Sequence, residues 1–452
     1  MQRVFVLLPA VAIGSLLWAQ EPPAPDSLSL HDAVLAAIRN NKSLAAAGAA
    51  QNAAASRITE ARSGYLPKVN YAESWTRSDN PVFVFSSLLT QHQFGPDNFQ
   101  IGPLNRPDFL NNFQSTVSAD QTIYDAGQTK RAVRSAEISR DITSEDKRLS
   151  ETEIIAASVR AYTDAMLAAD RLNAANQAVK SAEADLGRAE TVRAAGMATD
   201  ADVLSIRVHL AAMEEERIRR SADLDVARAA LNDAIGLPLD AAHTLSTTLT
   251  RAKVTLDAIA DYEKSAIASR PEARESKLAS NLAETRAADA RGSLLPQVSL
   301  HTAFEADRQR FYDRGGANWL ASVQLRWNVF NGFSDKARIA ESDSLLKSSQ
   351  ATEDRTASAI KLQVRRAYAD LRAAEQRIEA AKATVADAEE SLRITQNRYE
   401  AGFNNVTDLL RAETAVLEAR TRHLAAIHDQ RIAATMLEFA AGRLTAESEV
   451  LN

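Results

Sequence analysis

The sequence predicts a mostly α-helical protein with a small membrane β element. Long antiparallel coiled-coil helices form an α-barrel, and four β-strands per chain contribute to a barrel no single chain can close. Three observations predict this: the 452-residue chain is internally duplicated, proline is missing from 108 to 237 and again from 297 onward, and the aromatics crowd into short windows. Composition removes several alternatives. Beyond the first twenty residues no stretch of 18 or more is strongly apolar, which excludes a polytopic helical membrane protein. Lys+Arg 53 against Asp+Glu 59, a net charge of −6, offers nucleic acid no basic surface. With no cysteine, disulfides, thiolate metal sites, cysteine nucleophiles and a lipidated N-terminal cysteine are all removed.

Residues 1–20 read as a secretory signal. Met1 and Arg3 precede an apolar run, Val4 to Trp18, that ends at Ala19 before the Pro-rich stretch Glu21 to Pro25. A membrane anchor is the alternative, weakened by the shortness of the run and by Pro9.

The duplication is read by self-comparison. Ala61-Arg62-Ser63-Gly64-Tyr65-Leu66-Pro67-Lys68-Val69 is echoed by Ala290-Arg291-Gly292-Ser293-Leu294-Leu295-Pro296-Gln297-Val298, an offset of 229. Farther along, Tyr124 matches Phe330, Gly196 matches Gly402, Asp202 matches Asp408 and Gly236 matches Gly442, an offset of 206. The first copy therefore carries a 23-residue excess between Pro67 and Tyr124. The expected organisation is a first repeat at 21–236 with a hairpin about 66–124 and a tip near 196, and a linker at 237–256. A second repeat at 257–452 has a hairpin about 296–330, a tip near 402 and a short C-terminal tail.

Residues 130–194 and 335–400 lack proline, hold scarcely any glycine, and are rich in strong helix formers. At about 1.5 Å per residue each becomes a rod of roughly 100 Å. Leu371, Ile378, Val385, Leu392 and Tyr399 recur every seven residues, with Ala374, Ala381, Ala388 and Thr395 three later, a seam for close coiled-coil packing. The remaining helices, expected at about 29–63, 200–234, 257–291 and 405–440, are near 35 residues each, so two stacked end to end match one rod.

The windows between helices follow the period of a strand. Val298, Leu300 and Phe304 alternate with Ser299, His301, Glu305 and Asp307, and Trp319 through Val329 alternates likewise. Trp319 and Trp327 would lie on one face about 26 Å apart, close to the spacing of aromatic girdles, and Trp75 has the matching place in the first copy. A half-buried hairpin of a soluble sandwich stays open, although no other segment supplies a covering sheet. The insertion, with Phe83, Phe85, Phe94, Phe99 and Phe109, reads as an elaborate outer loop. Four strands with open edges cannot stand in lipid, so several chains must pool them; three chains supply twelve.

In the order and spacing of these features the chain resembles the TolC-like outer-membrane efflux proteins, the exit ducts of tripartite export systems. The resemblance spans nearly the whole mature chain and rests on the duplicated helical halves, on Leu66-Pro67 and Leu295-Pro296 entering the strands, on Tyr124-Asp125-Ala126-Gly127 and Phe330-Asn331-Gly332 leaving them, and on the turns Ala195-Gly196 and Ala401-Gly402. It implies a homotrimer with a twelve-stranded barrel in outer-membrane lipid and a helical barrel through the periplasm of a Gram-negative-type cell. It also implies an equatorial belt that includes the linker and the short tail. A periplasmic adaptor would dock at the tips, Gly196, Met197, Gly402 and Phe403, and an inner-membrane transporter would supply the energy. Positions matching Asp202 and Tyr399 would join neighbouring helices in a polar latch, and Asp408 would contribute to an acidic constriction. Asn404 stands where an arginine often supports that latch and Arg411 where a second acid can occur, so the gate here is weaker or differently paired. The plainer alternatives are a helix-ending glycine and an aspartate that favours a helix N-terminus.

No phosphate loop, dinucleotide fingerprint, serine elbow or zincin motif is present, and His423 and His428 are poorly spaced for a shared metal. No catalytic residue, cofactor or metal is expected, and transport is passive through this component. Arg326, Glu305 and Arg308 are read as lumen charges that do not select a substrate. A soluble periplasmic coiled-coil scaffold or adaptor would account for the heptads but not for the tryptophan-bounded windows, and a secreted hydrolase has no nucleophile and base to nominate.

Overall fold

Two continuous 67-residue helices run the length of the molecule, and everything else is arranged along them. The computed structural model describes residues 27–451, so the expected signal over 1–20 lies outside the described residues. In chain order the elements are β1 (Ser27–Leu28), α1 (Leu30–Asn40), α2 (Lys42–Arg62), β2 (Lys68–Ser78), α3 (Pro81–Thr90), α4 (Ile101–Asn105), β3 (Leu110–Tyr124), α5 (Gln128–Ala194) and α6 (Asp200–Ala234). There follow β4 (Thr244–Leu245), α7 (Ile259–Ser269), α8 (Pro271–Gly292), β5 (Gln297–Arg308), β6 (Gly316–Arg326), α9 (Ser334–Glu400) and α10 (Val406–Ala440). All nine heptad residues on α9 are buried or half-buried.

The first helix of each repeat is broken, against the single helices of near 35 residues that composition suggests. In the second repeat the cause is Pro271, whose ring excludes the α conformation from the residue before it; Arg270 is extended at ψ 135°. In the first repeat Asn41 is extended at ψ 123° and its side chain caps the Ser43 N–H. The two breaks are again 229 residues apart. Each receives the end of another helix: Asn40 Nδ2 donates to the Ile235 carbonyl at 3.4 Å, and Arg270 Nη1 to the Ala440 carbonyl at 3.4 Å. Thus α2 and α6 run end to end along α5, and α8 and α10 along α9.

The main core sits mid-length, where α1, α7, the linker and the C-terminal tail gather around the rods. Leu30, Val34, Val159, Tyr162, Tyr262, Leu371 and Leu437 are fully buried there. The Tyr162 hydroxyl donates to the Leu28 carbonyl at 2.7 Å, beside a short parallel pairing of β1 with β4.

At one end the four long strands form a single antiparallel sheet in the order β2-β3-β5-β6. The register puts Tyr71, Val117, Phe304 and Trp319 in one row, so Val69, Tyr71, Trp75, Phe113, Leu300, Val323 and Leu325 share a face. Its large side chains are mostly exposed. The opposite face carries Asn70, Ser74, Thr116, Asp120, His301, Glu305, Ser322 and Gln324, with His301 Nδ1 2.7 Å from Asp120 Oδ1. Two details depart from the expected strands. β6 ends at Arg326, because its partner Gln297 follows Pro296, which has no N–H to extend the ladder; Trp327 lies past the strand and donates its indole N–H to the Leu294 carbonyl at 3.0 Å. Arg308 is not on the polar face. Its alternation places it with Phe304, and the charge is held by Glu73 at 3.0 Å and Ser115 Oγ at 2.7 Å.

Candidate functional site

The end of the rods farthest from the sheet is made by two matched turns. Gly196 at φ 78° and Gly402 at φ 77° end α5 and α9. Each is followed by a paired closure: Met197 N–H to the Val192 carbonyl with Gly196 N–H to Arg193, and Phe403 N–H to Arg398 with Gly402 N–H to Tyr399. This double bond pattern needs a left-handed residue at the helix end, which glycine adopts without a Cβ clash. Met197 and Phe403, both more than three-quarters exposed, form the apices.

The next helices start with side-chain caps. The Thr199 hydroxyl accepts from the Asp202 N–H at 3.2 Å, and Asp202 Oδ2 accepts from the Thr199 N–H at 3.1 Å, a reciprocal capping box. Asn405 Oδ1 accepts from the Asp408 N–H at 2.9 Å, and Arg411 stands 4.0 Å from Asp408. Asp202 therefore satisfies its own helix end first, whereas at the second tip Asn405 does so and the Asp408 carboxylate faces Arg411. Tyr399 packs against Ala189, Val203, Ile206 and Val406 in a small apolar cluster. Burial, then the charges of Asp202 and Asp185, hold its phenol above its usual pKa. No hydrogen bond joins Tyr399 to Asp202 among the described residues. A groove of about 810 Å³ between the two helical hairpins is lined by Arg188, Met197, Asp202, Tyr399, Asn404 and Val406.

One polar cluster escaped the sequence reading. Asp185 on α5 is 6% exposed, and its carboxyl faces Glu413 on α10. Arg188 lies 2.6 Å from Asp185 and 3.4 Å from Glu400 on α9, and His209 on α6 lies 3.2 Å from Glu413. Burial, then contact with and the charge of Glu413, raise the Asp185 carboxyl to about 7. Glu413 is held low, because contacts with His209 and Asp185 outweigh its own burial. The available signal was an acid inside an apolar stripe, since Ala175, Val179, Ala182, Asp185 and Ala189 are all buried on α5.

A sheet with one bare apolar face, mounted on rods of roughly 100 Å, defines a membrane-anchored duct component. The model of the family described as outer membrane efflux protein matches residues 34–237 and 264–443, and the chain belongs to that family. It is an outer-membrane channel component that extends into the periplasm, and not an enzyme. It is 27% identical over 442 residues to protein CyaE of Bordetella pertussis, covering 96% of this chain and 88% of that one. It is 25% identical over 382 residues to outer membrane efflux protein BepC of Brucella suis, covering 82% and 80%. Among solved structures, the Campylobacter jejuni CmeC outer membrane channel superposes with a TM-score of 0.79 at 16% identity, over 98% of this chain and 95% of that one. Within the described residues no helix is long and apolar enough to cross a membrane.

Proposed function

We infer that three copies of this chain assemble into the exit duct of a tripartite export system, and that the duct is opened from its helix tips. The observation that carries the reading is the sheet: β2 and β6 are both 11 residues long and both leave one edge unpaired. In hydrocarbon each unpaired backbone group costs several kcal/mol, so the edge of one chain pairs with that of the next until the ring closes. Three chains of four strands give a twelve-stranded barrel whose apolar face meets lipid and whose polar face lines a water-filled lumen. The paired rods continue that lumen through the periplasm. Transport through it is passive, energised by an inner-membrane transporter.

Gly196, Met197, Gly402 and Phe403 are the docking points for the hairpins of a periplasmic adaptor. The matched turns and their exposed apolar apices support this, since among the described residues nothing covers Met197 or Phe403. Asp202, Tyr399, Asn404 and Asp408 form the gate. Asp202 already caps its own helix through Oδ2, whereas α10 is capped by Asn405 and the Asp408 carboxylate is left to Arg411, so the links that hold the gate shut use the remaining carboxylate oxygens of both acids and reach neighbouring helices. Trp75, Trp319 and Trp327 form the girdle that meets the lipid interfaces. A Gly402→Val variant tests the reading: it keeps a heat-sensitive oligomer in outer-membrane fractions but loses export. Unchanged export argues against docking at the tips, and an oligomer found only in soluble fractions sinks the duct itself.

A further inference from the structure

The 23-residue excess of the first repeat does not extend away from the sheet as an outer loop. It folds back, and the register decides onto which face. Leu110, Asn112 and Gln114 of β3, Ala303, Glu305 and Asp307 of β5, and Gly316 and Asn318 of β6 all belong to the polar alternation. The end of α3 is stitched to that set. Gln91 Nε2 donates to the Asn112 side chain at 2.9 Å and to the Asn111 carbonyl at 3.0 Å. Asn112 Nδ2 donates to Asp307 Oδ1 at 2.6 Å, and Asn318 Nδ2 donates to the Thr90 carbonyl at 3.2 Å. Gly316 is required for the close approach, because a Cβ there would stand 1.9 Å from the Thr90 carbonyl oxygen. Val84 and Ser87 of α3, with Ala303 beneath, are buried, and Gln91, Asn112 and Asp307 are all more than nine-tenths buried.

Burial of this degree on the wet side of a membrane sheet is not what a solvated surface loop produces. On the reading of the chain as a duct, the polar face is the lumen wall, and the strand ends at Ser78, Leu110, Arg308 and Gly316 are its outer rim. We propose that α3 is an inward-folded lid at the outer mouth of the duct, seated on the lumen wall through Gln91, Asn112, Asp307 and Gly316, and that it sets the size of what passes between lumen and exterior. The seat is releasable. Gln91 Oε1 and Asp307 Oδ2 are buried with no hydrogen-bond partner among the described residues, and desolvated acceptors of this kind work against the docked state. Only the first repeat carries the lid, so a closed ring of three chains has three, one above every second hairpin.

The chain has no cysteine of its own, so single thiols report access directly. Ser322→Cys places one on the lumen face below the lid, and Tyr312→Cys places one in the exposed β5–β6 loop outside it. Intact cells are treated with a small impermeant maleimide and with the same maleimide on a bulky polymer. The small reagent reaches both positions, whereas the bulky one reaches Tyr312→Cys and labels Ser322→Cys slowly. Adding Gln91→Ala removes two hydrogen bonds and accelerates bulky labelling of Ser322→Cys by about tenfold, and Gly316→Val does the same by blocking the seat. Equal bulky labelling of Ser322→Cys with and without Gln91→Ala overturns the lid. Failure of Tyr312→Cys to label from outside the cell overturns the duct reading instead, so the two failures are distinct.

Discussion

Asp185→Asn tests the buried acid at the tip. In the packing of this structure, the closed state of the proposed gate, burial and the facing Glu413 raise the Asp185 carboxyl to about 7; once the helices part and water enters, it returns to its ordinary value of about 3.9. Between those two values the closed state holds a proton that the open state has released. The closed tip is therefore most stable in acid, loses stability as pH rises from about 4 to 7, and changes no further above that. At about 1.4 kcal/mol per pH unit, moving from pH 5 to pH 7.5 removes up to about 3 kcal/mol, roughly a hundredfold in the opening equilibrium. Glu413 does not blur this window. Its shift is downward, so its linkage has the opposite sign and is confined to acid below about 4.3. Asparagine keeps the shape of Asp185, accepts from Arg188, donates to Glu413 and has no proton to lose. Amide hydrogen exchange of peptides spanning 180–210 and 395–415, corrected for the chemical rate, is the assay. The wild-type tip loses protection by one to two orders of magnitude between pH 5 and 7.5, and the Asn variant shows a flat profile. A companion His209→Gln variant separates any part played by the imidazole. If Asp185→Asn keeps the wild-type pH dependence, the assignment of the proton to this carboxyl is wrong.

Two further outcomes follow from the geometry. Gly442 is at φ 67° with Arg270 Cγ 2.9 Å and Arg270 N 3.0 Å from where a Cβ would sit, while Gly402 has nothing within 4 Å. Gly442→Ala therefore displaces Arg270 from the end of α10 and costs about 2–4 kcal/mol, against about 1–2 for the backbone strain alone in Gly402→Ala, read by thermal unfolding of the detergent-solubilised oligomer. On the sheet, Val323→Arg lies on the apolar face proposed to meet lipid and costs about 2–4 kcal/mol near the midplane, while its neighbour Ser322→Arg, on the polar side, costs less than about 1; the yield of assembled oligomer in outer-membrane fractions separates them, and equal losses would reject the assignment of faces.

The long rods were legible because they depend on local rules summed over many residues: no proline, strong helix formers and a seam every seven positions. The alternation of the strands was legible for the same reason, and it named Trp75 and Trp319 on a common face. Counting failed where a strand ends. Trp327 continues the alternation on paper, but its ladder stops because Pro296 has no N–H to offer. Arg308 was misplaced because its charge suggested water, whereas its position in β5 sets it with Phe304 and Glu73 neutralises it. The break at Arg270 was foreshadowed by Pro271. That at Asn41 had no comparable signal, and only the packing of Gly236 against Asn40 explains why the chain kinks there.

Taken alone, the sequence determined the duplicated plan, the helical rods, the tip glycines and the two-faced strands, all of which follow from periods of 3.6, 3.5 and 2 that a single segment carries within itself. Only the tertiary structure decided what meets across great sequence distance. Asp185 and Glu413 are 228 positions apart, and their shared burial follows from which helices lie side by side. Gln91 reaches Asp307 through Asn112 only because the insertion turns inward over the sheet. Periodicity says which way a side chain faces, and packing says what it finds there.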